Sequence, residues 1–185
     1  MLRNFGHYAT ALANYYLALK HYKAAQFNDE VAYTLNNLAF ALALLGDIEG
    51  AKEHVEKGLS IRRRLGQKYP IALSYNTRGL IYGMQGLFED GKKDSYLALH
   101  MFDELNSLRG KGLASLALGY MLRKQGKTIK DIQEAESIYE EADIFFQQSI
   151  EIFDKEIDEP IRLWEAFNER GSLFYNWGNL YLELG

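Results

Sequence analysis

The side chains that could carry catalysis or hold a metal are scattered along the 185 residues and form no recognisable motif. The absence of cysteine excludes a thiol nucleophile, a disulfide framework and a thiolate metal site. No His-Glu-x-x-His pair or calcium-binding loop is present. Acidic pairs are common, and we favour a solvated helix surface over a catalytic pair among them. The four histidines fall at unrelated positions of the repeat described below: His7, His21, His54 and His100.

The stretch GLIYGMQG at residues 79–86 is rich in glycine, as a phosphate-binding loop would be. A phosphate-binding loop follows a strand, whereas these glycines lie in a predicted helix and in the turn that ends it. We therefore predict a protein that is not an enzyme and has no cofactor and no metal site.

Composition limits the partners. The net charge of −4 gives no electrostatic reason to bind nucleic acid or an anionic membrane. No apolar run approaches the ~20 residues that a membrane span requires. The N-terminus lacks the charged-then-apolar layout of a signal peptide. We expect a cytoplasmic protein whose partners are proteins or peptides, with no nucleic acid and no membrane among them.

A repeat organises the chain. Apolar residues step by three or four on both sides of Gly46, which predicts two amphipathic helices. Glycine ends a helix in the left-handed conformation without steric cost, and the carboxylate of Asp47 can cap the next helix. We therefore predict a helical hairpin that turns at Gly46. Three sets of residues recur at a spacing of 40, namely Gly46, Gly86 and Gly126; Ala39, Gly79 and Gly119; and Leu42, Tyr82 and Leu122.

This pattern resembles the tetratricopeptide repeat (TPR). The stretch TLNNLAFALALLGDIEGAKEHVEKGLSI is similar to the repeats of about forty residues in kinesin light chains and bacterial helical-repeat signalling proteins. The resemblance implies an all-α, right-handed superhelical solenoid of antiparallel helix hairpins. It also implies a protein-binding sensor or scaffold in bacterial signal transduction. Departures are Gly91 in place of alanine, and Arg78 and Arg170 at a position that is usually apolar. The matching residues are Ala39, Leu42, Gly46 and Ala51, and then Gly79, Tyr82, Gly86 and Gly91.

We expect one solenoid domain over residues 1–185. The last unit is predicted to have a first helix over Trp164–Trp177, a turn at Gly178 and a second helix that starts near Asn179. Because the chain begins and ends within a repeat, we interpret it as a fragment of a longer protein. The predicted parts are a half repeat (5–27), two repeats (29–67 and 70–107), a repeat with an 11-residue insertion (110–157) and a partial repeat (160–185).

The insertion follows Gly126. Eleven residues are close to three helical turns, so the apolar face stays in register. We predict one helix from Asp131 to about Ile157, whose first ~three turns project past a turn at Gly126. The projecting acidic residues are either a docking surface or a solvated helix face, and we favour the second. The apolar residues beside them require a cover, from a neighbouring unit, a second copy or a missing part of the chain.

The first helices of stacked units line the concave face of a solenoid. We predict that one small residue of each first helix points between the two helices of its unit: Ala39, Gly79, Gly119 and Gly171. The residues next to them then face a groove. We predict that this groove binds a peptide or protein segment. The candidate residues are Asn36, Asn37, Phe40, Leu44, Asn76, Leu80, Met84, Leu116, Tyr120, Arg123, Lys124, Asn168, Ser172 and Tyr175.

Three asparagines share one position of the repeat: Asn36, Asn76 and Asn168. An amide can donate to and accept from a peptide backbone. The resemblance implies this role for asparagines of the first helix, Asn37 included. The alternative, which stays open, is that these amides bond between adjacent helices or to water.

Arg123 and Lys124 end a first helix, where cations interact favourably with the helix dipole. With Arg78 they could instead hold a carboxylate of the ligand. The apolar character of Phe40 and Leu80 favours an apolar ligand over a charged tail.

Self-assembly is the alternative function. A homo-oligomer could form through the exposed ends of the solenoid and through the helical extension over 127–141.

Overall fold

The computed structural model describes residues 2–184, with side chains for residues 9–182. Met1, Gly185 and the side chain of His7 lie outside these described residues. Eight α-helices follow one another without a strand between residues 2 and 184, so the predicted all-α solenoid is confirmed. The helices are α1 (Leu2–Ala24), α2 (Asn28–Leu44), α3 (Ile48–Leu65), α4 (Lys68–Met84), α5 (Phe88–Glu104), α6 (Leu108–Gly126), α7 (Ile132–Glu151) and α8 (Pro160–Leu184).

The helices form two layers. Each helix packs against the next one in the chain, and α2 also contacts α4, α4 contacts α6, and α6 contacts α8. These four helices form an inner layer, while α1, α3, α5 and α7 lie outside it. The division of the chain into repeat units stays a prediction, but the pairs α2–α3, α4–α5 and α6–α7 follow the predicted hairpins.

The first two hairpins turn at the predicted glycines. Gly46 has a φ of 89° and Gly86 a φ of 83°, in the left-handed region that favours glycine. The amide of Asp47 donates to the Leu42 carbonyl (3.0 Å), which closes the end of α2. Asp47 also caps α3, because its Oδ1 accepts from the amide of Gly50 at 2.9 Å.

The turns between hairpins carry the same period. Gln26, Gly66 and Asn106 have positive φ angles of 58°, 68° and 50°, and they are spaced by 40. The next such residue, Asp158 with a φ of 46°, follows after 52 residues. Only one of the four is a glycine, so the sequence alone does not reveal this second series of turns.

Paired helices pack tightly at two of the glycines of the repeat. A methyl group on Gly79 would lie 2.8 Å from the Gly91 carbonyl oxygen, and one on Gly119 would lie 2.8 Å from the Phe146 ring. Ala39 is fully buried. Gly171 differs, because nothing lies within 4 Å of the position its Cβ would take. The prediction that Gly171 points between two helices is therefore wrong, since no helix packs on that side of α8 within the described residues.

Gly126 is not a turn residue, which corrects the prediction from the 40-residue spacing. It belongs to the last turn of α6 and is buried. A Cβ at Gly126 would lie 2.4 Å from the Tyr139 ring. The glycine therefore makes room for an aromatic side chain of α7. The connection follows it as a five-residue loop over 127–131, which ends at Asp131, the N-cap of α7.

The long helix predicted from Asp131 to Ile157 has a change of geometry near its end. The α-helix stops at Glu151, and a π-helical turn continues it over Ile152–Glu156. A π turn accommodates an extra residue without breaking a helix. It allows two consecutive side chains, Ile152 and Phe153, to pack against Gly112 of α6.

The last unit has one helix where two were predicted. α8 runs through Gly178 without a turn, so the second helix predicted from Asn179 is not formed. The cause lies in α7, whose first turns carry the buried residues Ala135 and Tyr139. Leu180 and Trp177 of α8 pack against this apolar surface. The neighbouring unit is thus the cover that the projecting residues require.

Two glycine-to-alanine substitutions test this packing. We expect Gly126→Ala to lower the free energy of unfolding by roughly 1–3 kcal/mol, because the new methyl group meets the Tyr139 ring. Gly171→Ala should raise it by about 0.5–1 kcal/mol, since alanine is the better helix former and the space is open. Urea denaturation followed by circular dichroism measures both changes. A loss of stability in Gly171→Ala would contradict a continuous, exposed α8.

Candidate functional site

A groove lies on the inner layer of the solenoid. Its cavity has a volume of about 370 Å³, and every residue that lines it comes from α2, α4, α6 or α8. Leu80 and Leu116 form part of its floor, and Trp164 of α8 stands at one side with its ring largely exposed. The lining residues are Phe40, Leu44, Asn76, Leu80, Met84, Leu113, Leu116, Ala117, Tyr120, Arg162, Trp164, Glu165, Asn168 and Glu169.

The structure brings eight of the fourteen predicted groove residues together around this cavity. Whether they bind a ligand stays a prediction. Asn37 and Ser172 are half-buried, and Tyr175 is exposed. The residues around the cavity that were predicted are Phe40, Leu44, Asn76, Leu80, Met84, Leu116, Tyr120 and Asn168, while Asn36, Asn37, Arg123, Lys124, Ser172 and Tyr175 do not line it.

The three asparagines of the shared repeat position have different surroundings. The amide of Asn36 donates to the Thr77 hydroxyl at 3.1 Å, a bond from α2 to α4. Asn76 is buried, and its Oδ1 has no hydrogen-bond partner. Asn168 is exposed at the edge of the cavity. The amide nitrogen of Asn36 thus follows the alternative of a bond between helices, while the Oδ1 atoms of both Asn36 and Asn76 are buried acceptors without a partner.

The cations near the groove are already paired. Arg123 donates to Glu169 of α8 at 2.5 Å, and its guanidinium lies over the Tyr120 ring. Lys124 lies over the same ring, and burial lowers its pKa. Burial also raises the pKa of the Tyr120 hydroxyl. Arg123 therefore connects α6 to α8 beside the groove, and Lys124 packs on Tyr120 next to it.

Arg78 does not belong to the groove, so the three-cation clamp for a carboxylate is wrong. Its guanidinium forms two bonds with Asp94 of α5, at 2.6 and 2.9 Å, and one with Glu56 of α3. The bonds to Asp94 raise the pKa of Arg78. Hydrogen-bonded ion pairing of this kind explains how an arginine occupies a position that is usually apolar.

Arg170 has a similar arrangement and fastens α8, one wall of the groove, to α7. It donates to both carboxylate oxygens of Asp143, at 2.5 and 3.1 Å. Burial raises the pKa of Asp143, but the bonds from Arg170 and Gln147 outweigh burial, and the pKa is lowered overall.

Sequence reasoning missed six residues that line the cavity. The prediction included the residues one turn after the asparagine position of each first helix. It left out the residues one turn before that position. Trp164 lies four residues before Asn168 in the sequence, and Leu113 lies three residues before Leu116. A search one helical turn toward the N-terminus would have found both. The missed residues are Leu113, Ala117, Arg162, Trp164, Glu165 and Glu169.

A second cleft of about 670 Å³ lies between α5, α6 and α7. Several of its ionisable groups bond to one another or to neighbours: Lys111 pairs with Asp103 at 2.8 Å, and the Tyr96 hydroxyl donates to Glu141. No residue that lines it has a buried polar atom without a partner. We therefore regard the inner-layer groove as the candidate site.

No catalytic arrangement is found among the described side chains. His54 Nδ1 lies 2.7 Å from the Gly50 carbonyl oxygen, and His100 lies beside Glu104. Within residues 9–182, no three His, Asp or Glu side chains converge in a way that could hold a metal ion. None of the helices in residues 2–184 has the length and apolar character needed to cross a membrane.

Comparison with protein families gives a match to part of the chain. The family model described as the tetratricopeptide repeat matches residues 31–65, a range that covers α2 after its first turn, the Gly46 hairpin and α3. No curated protein matches the chain.

The Asp143–Arg170 pair predicts an acid-sensitive attachment of α8. Because the pKa of Asp143 is lower in the folded chain than its ordinary value of 3.8, its contribution is present above pH ~4 and is lost as the pH falls through the folded pKa. We expect Asp143→Asn to cost roughly 1–3 kcal/mol at pH 7, and the cost to shrink below pH 4. Urea denaturation at pH 7 and at pH 3 measures this difference in the free energy of unfolding.

The matched control is Asp154→Asn, which makes the same chemical change at an exposed residue. It should change the free energy of unfolding by less than about 0.5 kcal/mol at either pH. An equal cost of Asp143→Asn at pH 7 and pH 3 would contradict the role of the ionised pair.

Proposed function

We propose that the chain is a protein-interaction module that binds an apolar peptide or protein segment in the inner-layer groove, and the match of residues 31–65 to the tetratricopeptide repeat supports this role. The observation that carries the proposal is the cavity itself, to which all four inner helices contribute. A concave, mainly apolar surface with a few polar groups is the usual form of a binding site.

The groove offers large apolar side chains to a ligand. Phe40 and Leu44 are partly exposed at the α2 side, and Trp164 stands at the α8 side with 66% of its surface exposed. Tryptophan is enriched among residues that dominate binding energy, because it buries a large area with little loss of conformational freedom. A segment with apolar side chains would cover these groups.

The polar groups of the groove suggest how such a segment is oriented. The buried Oδ1 of Asn76 lacks a donor, and a peptide N–H that reaches it after a small rotation of the amide would satisfy it. The charged wall is balanced, since Arg123 pairs with Glu169 and Arg162 with Glu165. No net positive charge is available to select a carboxylate tail, so the apolar character dominates.

The wider role is also a proposal. We infer a non-catalytic sensor or scaffold part of a larger cytoplasmic regulator, of the kind in which repeats of about forty residues occur. The net charge of −4 supports protein partners over nucleic acid.

Self-assembly is a second candidate function, favoured by one observation. The outer face of α8 exposes Ile161, Phe167 and Leu182, whereas the apolar residues of the 127–141 extension belong to a cluster that includes Leu180 and Trp177 of α8. Tyr139 is only 1% exposed and is not available to a second copy. An assembly would therefore use the end of the solenoid and not the extension.

The groove is tested with peptides selected by phage display on the purified chain. Binding should bury the exposed Trp164 ring and shift its fluorescence to shorter wavelength, while the half-buried Trp177 supplies a constant background. We expect Trp164→Ala to weaken the selected peptides at least tenfold, as measured by fluorescence anisotropy.

Tyr175→Ala is the matched control, because it removes an exposed aromatic ring from the same helix outside the cavity. It should leave the affinity within about twofold. Peptides that bind Trp164→Ala and Leu80→Ala as tightly as the parent chain would argue against the groove.

A further inference from the structure

Arg62, near the end of α3, is buried at a position where the other units of the chain carry an aromatic ring. It lies 40 residues after Tyr22 and 40 before Phe102, and Phe153 follows Phe102 after 51. Phe102 and Phe153 are fully buried, and Arg62 is only 2% exposed. The junction between α3 and α4 therefore encloses a guanidinium, whereas the junction between α5 and α6 encloses the phenyl ring of Phe102.

The hydrogen-bond partners of Arg62 are neutral groups at the start of α4. Its Nη1 donates to the Pro70 carbonyl oxygen at 2.8 Å and to the Ser74 hydroxyl at 2.6 Å. Pro70 and Ser74 lie 40 positions before Gly110 and Ala114, which pack against the Phe102 ring. The polar contact thus replaces an apolar one at the same place in the repeat.

The charge of Arg62 is not compensated. Its buried Nε has no hydrogen-bond partner, and no carboxylate of residues 9–182 forms an ion pair with its guanidinium. Burial lowers the pKa of Arg62 to about 10. An ion pair does cross the junction, between Glu56 and Arg78, but Glu56 is exposed and such pairs contribute little. A buried cation without a counter-ion weakens the interface that encloses it.

Two further observations mark the same junction as weak at one end. α3 and α4 share the least extensive contact of any two successive α-helices in residues 2–184. They are connected through Gly66 (φ 68°), and glycine has the greatest conformational freedom of all residues. At the other end of α4, Ile81 is fully buried in the core of the first hairpin. A weak contact at one end and a packed core at the other form the arrangement of a hinge.

We propose that the junction of α3 and α4 is a hinge that opens at Arg62 and pivots near Ile81, so that the first hairpin changes its angle to the rest of the solenoid. The regulation of this hinge rests on the groove function proposed above. Phe40 and Leu44 line the cavity from the first hairpin, and the remaining lining residues belong to α4, α6 and α8. A segment bound there contacts both sides of the hinge and holds them at one angle. Binding in the groove and closure of the hinge are therefore coupled.

Spin labels on both sides of the junction measure the hinge angle. The chain contains no cysteine, so pairs of introduced cysteines are labelled specifically. Ser60→Cys on α3 and His100→Cys on α5 change exposed residues at equivalent positions on either side of α4. His100→Cys with Glu151→Cys on α7 spans the next junction in the same way. In double electron–electron resonance, we expect a broader distribution of distances for the Ser60–His100 pair than for the His100–Glu151 pair.

Arg62→Met tests whether the buried charge is the cause of this breadth. Methionine fills the space with an apolar side chain, and the Ser74 hydroxyl can donate instead to the Pro70 carbonyl, four residues before it. We expect the Ser60–His100 distribution to narrow to the width of the His100–Glu151 distribution.

The matched control is Arg64→Met, which makes the same chemical change at an exposed residue of α3 and should leave the distribution as broad as before. Urea denaturation confirms that each variant is folded. Arg62→Gln removes the charge and keeps a hydrogen-bond donor, and it takes the place of Arg62→Met if that variant does not fold.

Peptides selected on the chain by phage display test the coupling. They should narrow the Ser60–His100 distribution of the parent chain, and Trp164→Ala should abolish this narrowing. Peptides that bind in the groove and leave the distribution unchanged would reject the coupling, while the groove function stands. A chain that binds no peptide would reject the groove function and the coupling together.

The hinge itself is decided by the distances measured without peptide. Equal widths for the two label pairs in the parent chain would overturn it. An Arg62→Met distribution as broad as that of the parent chain would reject the buried charge as the cause of opening.

Discussion

The closeness of two helix backbones within each hairpin is the constraint on which the rest of this structure depends. At Gly79 there is no room for a methyl group between α4 and α5, and at Gly119 the Phe146 ring occupies that space. Because paired helices touch through small residues, the larger side chains one position away turn toward the neighbouring inner helices. The groove residues Leu80 and Tyr120 take their places from this geometry.

The length of α8 depends on the irregular third hairpin, because α8 covers the part of α7 that extends beyond α6. Lengthening α7 extended its apolar stripe beyond α6, where Ala135 and Tyr139 needed a cover. α8 supplies the cover by continuing through Gly178, and the ion pair between Arg170 and Asp143 fastens it to α7. The same helix places Trp164 at the side of the groove. An insertion on the outer layer thus influences the shape of the inner surface.

The sequence predicted the regular part of the fold because its signals are local. Gly46 and Gly86 turn as expected, and most of the aromatic and aliphatic groove residues meet at one cavity. Gly126 was misassigned because its position in the repeat matched a turn, although its role is to admit the Tyr139 ring. The continuation of α8 depends on tertiary cover, and the partners of Arg78 lie on two other helices. No periodicity within one helix contains that information.

Among the described residues 2–184, contacts between helices extend only to near neighbours along the chain. In such a linear array, cooperativity is passed from one hairpin to the next, and no single core holds all hairpins at once. Amide hydrogen exchange should therefore be slowest in the α4–α6 segment, which is packed on both sides. It should be faster toward α1 and α8, where opening breaks one interface instead of two. A ligand that spans the inner helices would couple these segments and slow exchange across all of them.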